Sequence, residues 1–113
     1  MFQVLEVSLE MAKSVRPVVE RIEERSAPLA DQLRRAVESV ALNFGESRWR
    51  RGKDRSNRFT YAAGSAEEAR AALRLAVAWG YVSDAEVREA DALLGRVLAM
   101  SWRLLNAGQR RSR

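Results

Sequence analysis

The sequence predicts an all-α fold, an up-down-up-down antiparallel four-helix bundle, on three observations. Apolar residues return every three or four positions in four successive segments, the period of a helix with one buried face. Only 2 prolines and 6 glycines interrupt the 113 residues, so there are few points where strands and long loops could alternate. The segments are separated by short connections, and consecutive helices joined that way pack antiparallel. A chain of this length buries one core. Residues 1–108 are expected to form the bundle, and residues 109–113, Gln-Arg-Arg-Ser-Arg, a basic disordered tail too polar to pack.

In the first segment Val4, Leu5, Leu9, Val15, Val18, Val19 and Ile22 form the apolar stripe. Pro17 removes one backbone hydrogen bond and presses on the carbonyl four residues back, so a kink is expected near Lys13 to Arg16. Ser26-Ala27-Pro28 separates this helix from the second, with the proline near a first turn, where its missing N–H costs little. Leu29, Leu33, Ala36, Val37, Val40, Ala41 and Phe44 give the second helix an amphipathic pattern that should fade between Ser47 and Gly52.

Asp54 or Ser56 is expected to cap the third helix by accepting a hydrogen bond from an otherwise unpaired amide. Its seam, Phe59, Ala62, Ala66, Ala69, Leu73 and Ala76, is mostly alanine and lets a neighbour approach closely. Gly64 beside Ser65 extends that small surface at a propensity cost of about 1 kcal/mol, which a close helix contact would offset. Trp79-Gly80-Tyr81-Val82 closes the helix, and Ser83-Asp84-Ala85-Glu86 has the capping-box spacing that opens the fourth. Val87, Ala90, Leu94, Val97, Ser101 and Leu104 make the last seam, widened by Leu93, Leu98 and Leu105, with Gly108 as the expected stop.

The chain contains no cysteine and no histidine. That removes thiol nucleophiles, disulfides, zinc sites of the usual ligand types and the commonest general base at neutral pH. Catalysis is not expected, nor is a metal or a cofactor. The opening residues are interrupted by Glu6 and Glu10 and lack a basic start, so they fit neither a signal peptide nor a membrane span, and a cytoplasmic protein is expected.

Charge is informative once it is located. The net charge is +5, yet Arg48 to Arg58 alone contributes six cations against Asp54, and Arg110, Arg111 and Arg113 add three more, which leaves the rest of the chain about 3 negative. In an up-down-up-down bundle the N-terminus, the connection between helices two and three and the C-terminal tail lie at the same pole. The two basic segments, far apart in sequence, therefore converge on one positive end.

The order Ser39, Asn43, Glu46, then Phe59, then Ala62-x-Gly64-Ser65-x-x-Glu68, then Gly80-Tyr81 resembles the small four-helix-bundle proteins encoded in intervening sequences of bacterial 23S ribosomal RNA genes, a group related to the accessory variability protein of diversity-generating retroelements. That family's Asn-Ile-Ala-Glu-Gly stands here as Asn43-Phe44-Gly45-Glu46-Ser47, with the small residue and the glycine displaced, while the later Ala-x-Gly-Ser element is intact. The resemblance covers nearly the whole chain and implies a homopentamer of four-helix protomers. For the retroelement relatives it further implies nucleic-acid binding and docking to a reverse transcriptase. This sequence looks closer to the ribosomal-RNA-gene members.

Two groups of residues follow. Ser39, Asn43 and Glu46 on helix two are expected to hydrogen-bond across to the stretch carrying Gly64, Ser65 and Glu68 on helix three, a clamp fixing the register of the two. Arg48, Arg50, Arg51, Lys53, Arg55, Arg58, Arg110 and Arg111 are expected to contact the phosphates of RNA or DNA, with Trp49 to stack on a base. The competing expectation is a scaffold whose basic pole docks an acidic partner protein. Trp79, Tyr81 and Trp102 are assigned to helix ends and subunit contacts. Leu93 with Met100, and Val7 with Met11, suggest a second apolar face that favours self-association.

Overall fold

The computed structural model describes the backbone of residues 3–111 and the side chains of residues 3–108. It contains four helices, α1 (Gln3–Glu23), α2 (Ala27–Ser47), α3 (Gly52–Ala78) and α4 (Asp84–Arg111), and no strand among the described residues. Each helix packs on the next and α4 closes on α1, giving a bundle 48 Å long and 23 by 20 Å across. Chain direction alternates. Arg21 near the end of α1 lies 3.5 Å from Glu86 at the start of α4. At the other pole a Cβ on Gly108 of α4 would sit 3.6 Å from the Ser56 hydroxyl near the start of α3.

The α1 stripe differs from the sequence reading. Val4, Val7, Met11, Val15, Val18 and Ile22 are buried, at successive intervals of three or four residues, whereas Leu9 is exposed. Leu9 is two positions from both Val7 and Met11, about 200° around the helix, so it cannot share their face. Val7 with Met11 thus belongs to the core and offers no second apolar face. The stripe also takes in Ser8, whose hydroxyl is satisfied by donating to the Val4 carbonyl at 2.8 Å. The helix runs continuously through Pro17, which is exposed. The expected seams of α2 and α3 are buried apart from Ala41, which is half-buried. In α4, Val87, Ala90, Leu94, Val97, Ser101 and Leu105 are buried, with Leu104 only partly so.

Local chemistry sets the helix ends. The Ser26 hydroxyl accepts from the Leu29 amide at 3.3 Å, with Pro28 in the first turn of α2. The expected cap of α3 by Asp54 or Ser56 is not formed. Arg51, in extended conformation, precedes the first helical residue and makes no side-chain cap; Gly52 turns the chain with φ +56° and the helix begins there. Asp54 consequently lies in the first turn, where its charge suits the positive end of the helix dipole. At the other end Gly80, φ +75°, takes the left-handed conformation of a Schellman stop. The Gly80 amide donates to Val77 and the Tyr81 amide to Ala76, both at 2.9 Å. The capping box of α4 forms: Ser83 N–H donates to Glu86 at 2.9 Å and Glu86 N–H to the Ser83 hydroxyl at 3.2 Å. Gly108 does not stop α4, which continues to Arg111; it is not in a left-handed conformation, and a glycine inside a helix weakens it without ending it.

Between α3 and α4, Arg70 grips Asp91 with two hydrogen bonds of 2.9 and 3.1 Å. Its guanidinium crosses Gly95, where a Cβ would come within 3.3 Å of it. Hydrogen bonding by Arg70 holds the Asp91 carboxyl below its ordinary value of 3.8, against a smaller opposing effect of burial. A depressed folded-state pKa gives stability that is present above the unfolded pKa and lost as pH falls through the folded one. Urea denaturation across acid pH should therefore show stability falling below about pH 4, and Asp91→Asn should flatten part of that fall while costing stability at neutral pH. In the core, Leu33→Ala, at a fully buried position, should cost about 2–5 kcal/mol in the same assay; a cost below that range would mean that the α2 seam collapses around the cavity.

Candidate nucleic-acid interface

The cations between Arg48 and Arg58 divide between a short connection and the start of α3. The connection spans only residues 48–51, and Lys53, Asp54, Arg55 and Arg58 ride on the first turns of α3. The helix spacing sorts them into three environments.

Arg50 is spoken for. It bridges the break between the helices, donating to Glu46 of α2 at 2.6 Å and to Asp54 of α3 at 3.2 Å. The Arg50 hydrogen bond holds the Glu46 carboxyl below its ordinary value, and the same two carboxylates raise the Arg50 pKa further, so this guanidinium is a latch across the connection. The spacing Glu46, Arg50, Asp54 is the four-residue interval of helical ion pairs, a signal present in the sequence but masked by reading the stretch as loop.

Arg55 and Arg58 are half-buried and laid on aromatic rings. The Arg55 guanidinium lies 5.5 Å from the Phe59 ring centroid, and Phe59 in turn packs 6.2 Å from Phe44, so the cation closes the end of the core. Arg58 lies 5.9 Å from the Tyr61 ring and reaches Asn43 over a long 3.5 Å contact. The Nε of each arginine is buried without a hydrogen-bond partner, consistent with a face pressed on a ring.

Arg48, Arg51 and Lys53 are exposed and form no ion pair among the described residues. Trp49 stands between them, 85% exposed. These four side chains are the ones open to an incoming phosphate backbone and base. Backbone placement puts Arg110 and Arg111 at the same pole, at the end of α4; their side chains lie outside the described residues.

The expected clamp divides. Ser65 donates to the Ser39 hydroxyl at 2.8 Å, and the Asn43 amide donates to the Ser39 carbonyl at 2.8 Å and its hydroxyl at 3.1 Å. With Arg58 on the Asn43 oxygen, this polar chain ties α2 to α3. Glu46 is not part of it, because Arg50 holds its carboxylate on the opposite errand. Glu68 is exposed and makes no hydrogen bond or ion pair among the described residues. Gly64 is exposed too, with nothing within 4 Å of a built Cβ, so the close contact expected there is not made within the chain. Trp79 and Trp102 are exposed, while Tyr81 is half-buried under the Arg25 guanidinium at 5.5 Å.

Among the described residues no helix is long and apolar enough to cross a membrane, and no group of three or more acidic residues is placed to hold a metal ion. A family model described as 23S rRNA-intervening sequence protein matches residues 1–103. A crystal structure of a protein with unknown function from the S23 ribosomal protein family of Bacteroides thetaiotaomicron superposes with a TM-score of 0.84 at 17% identity, over 90% of this chain and 97% of that one. No curated protein matches. At that identity the structural likeness speaks for the fold alone.

The Ser39–Ser65 pair makes a quantitative prediction. Single and double alanine replacements should give a coupling energy of about 0.5–1.5 kcal/mol in a denaturation cycle. Strict additivity would show that the apolar seam alone sets the register of α2 and α3.

Proposed function

The chain belongs to the family of 23S rRNA-intervening sequence proteins, and we propose that within it this protein is a non-catalytic, self-associating cytoplasmic bundle that binds nucleic acid through its basic pole. One observation carries the reading: Arg48, Arg51 and Lys53 are exposed without carboxylate partners around an exposed Trp49, while Arg50 beside them is neutralised. Unpaired cations release counterions from a phosphate backbone, and an exposed indole offers a stacking face to any base. Nothing in the arrangement reads base edges, so binding is sequence-independent.

Self-association is proposed on a separate surface. Leu42 of α2 and Tyr61, Leu75 and Trp79 of α3 are all exposed, and Gly64 leaves a bare spot three residues after Tyr61 on the same side of α3. A helix of a second copy lying across that spot offsets what glycine costs the isolated helix. The number of copies is proposed as five, from the family resemblance.

Binding of labelled single- and double-stranded RNA and DNA over a salt series tests the pole. Affinity should fall linearly on logarithmic axes, and each of Arg48→Gln, Arg51→Gln and Lys53→Gln should reduce the slope by roughly one. Arg50→Gln should leave the slope unchanged. Unaltered affinity in the triple variant removes nucleic acid from this surface, and salt-dependent capture of an acidic protein in its place would make the pole a protein dock. Light scattering on a sizing column tests assembly: Gly64→Leu should shift the wild-type oligomer toward monomer, and a wild-type monomer at micromolar concentration would contradict the self-association.

A further inference from the structure

The second half of α4 is a basic surface that the pole does not account for. After Asp91 the chain has 5 arginines and no Asp or Glu to its end. Arg96, Arg103 and Arg110 are spaced by seven, hence on one side of the helix, about 10 Å apart along its axis and leading into the basic pole. The described members of this row, Arg96 and Arg103, are exposed and have no ion-pair partner among the described residues. Toward the other end of the bundle several arginines are answered: Arg16 by Glu20, Arg21 by Glu24 and Glu86, Arg34 and Arg35 by Asp31, and Arg70 by Asp91.

The positions flanking these cations on the same side are small or neutral. Ala92, Ala99 and Asn106 are exposed on the same side, and Trp102, 46% exposed, stands next to Arg103. Glu10 of α1 and Glu67 of α3 are acids exposed on the flanking helices, and neither pairs with Arg96 or Arg103. Glu89 and Asp91 bound the row at its far end. An acid-free row of cations with one aromatic beside it, continuous with a pole of the same sign, has the composition of a track for an extended polyanion carrying flat rings.

We infer that single-stranded nucleic acid leaves the basic pole along α4, its phosphates on Arg103 and Arg96 and a base stacked on Trp102. This rests on the pole reading and adds to it a strand path and a preference for single strands, whose bases are free to stack. An acidic peptide would use the cations but leave Trp102 without a stacking partner.

The test uses oligo-dT and oligo-U of about 5 and about 20 nucleotides, the duplex of the longer length, and poly-glutamate as a polyanion without bases. The longer single strands should bind at least roughly tenfold tighter than the shorter ones, because the second contact becomes intramolecular. Arg96→Gln with Arg103→Gln should remove most of that gain and spare the short oligomer; circular dichroism checks that these exposed replacements fold. With Trp49→Phe and Trp79→Phe, Trp102 is the one remaining tryptophan of the 3, and the long single strand should quench it where poly-glutamate does not. The dT and U arms separate DNA from RNA as the source of the strand. Equal affinity of wild-type and α4 variant for the long strand, with loss only on neutralising Arg48, Arg51 and Lys53, overturns the track and leaves the pole standing. Equal binding of duplex without Trp102 quenching, or of poly-glutamate in place of nucleic acid, also overturns it. Absence of any nucleic-acid binding by the wild-type protein overturns both readings.

Discussion

The packing of α3 on α2 through an alanine seam is the constraint on which the rest of the structure depends. Ala62, Ala66, Ala69 and Ala76 are fully buried, so the facing residues of α2 can approach closer than a leucine seam would allow. This seam carries the 2.8 Å hydrogen bond from the Ser65 hydroxyl to Ser39. It also sets Phe44 against Phe59 at the end of the seam and leaves only four residues to join the helices. That short connection holds three of the six cations, Arg48, Arg50 and Arg51. Lys53, Arg55 and Arg58 fall on the first turns of α3, and the four-residue spacing of Glu46, Arg50 and Asp54 decides which cation finds carboxylates.

That sorting gives local charge a physical meaning that a count does not. Six cations crowd the sequence between Arg48 and Arg58, but one is latched by two acids and two lie on aromatic rings. An exposed ion pair contributes little to stability, typically about 0–1 kcal/mol, so the role of Arg50 is geometric: it holds the end of α2 and the first turn of α3 in one arrangement. Arg55 and Arg58 serve the core end and the interhelix polar chain in the same way. The cations left over are fewer than the sequence suggested, and they stand on a braced platform. Bracing of this kind lowers the ordering cost of any contact that such cations make.

Much of the fold was legible because helical periodicity is a repeated signal, and α2, α3 and the capping box of α4 follow it closely. Leu9 was misplaced because an apolar residue two positions from the true stripe looks the same in a list of apolar residues; only the spacing of the stripe by threes and fours separates it from Val7 and Met11. The start of α3 was misplaced because Gly52 resembles a breaker, whereas its positive φ lets the helix begin at once. Of the clamp, Ser39, Asn43 and Ser65 were readable from small polar residues facing a small seam. Glu46 was not, since the acid had a closer suitor one turn on in Arg50.

Gly64 shows a different kind of illegibility. A glycine in the middle of a 27-residue helix costs about 1 kcal/mol against alanine, and the single chain offers it no close neighbour, no turn and no left-handed conformation to justify the cost. The same helix carries Tyr61 and Leu75 exposed on that side. Either observation alone is ordinary, since exposed apolar residues are common and a glycine can be neutral drift. Together on one face they describe an apolar surface with a gap that no other described part of the protomer fills, and this is what supports the proposed self-association. The basic pole and this apolar face are separate surfaces, so the proposed association through α2 and α3 would leave the row on α4 open and multiply the basic poles without covering them.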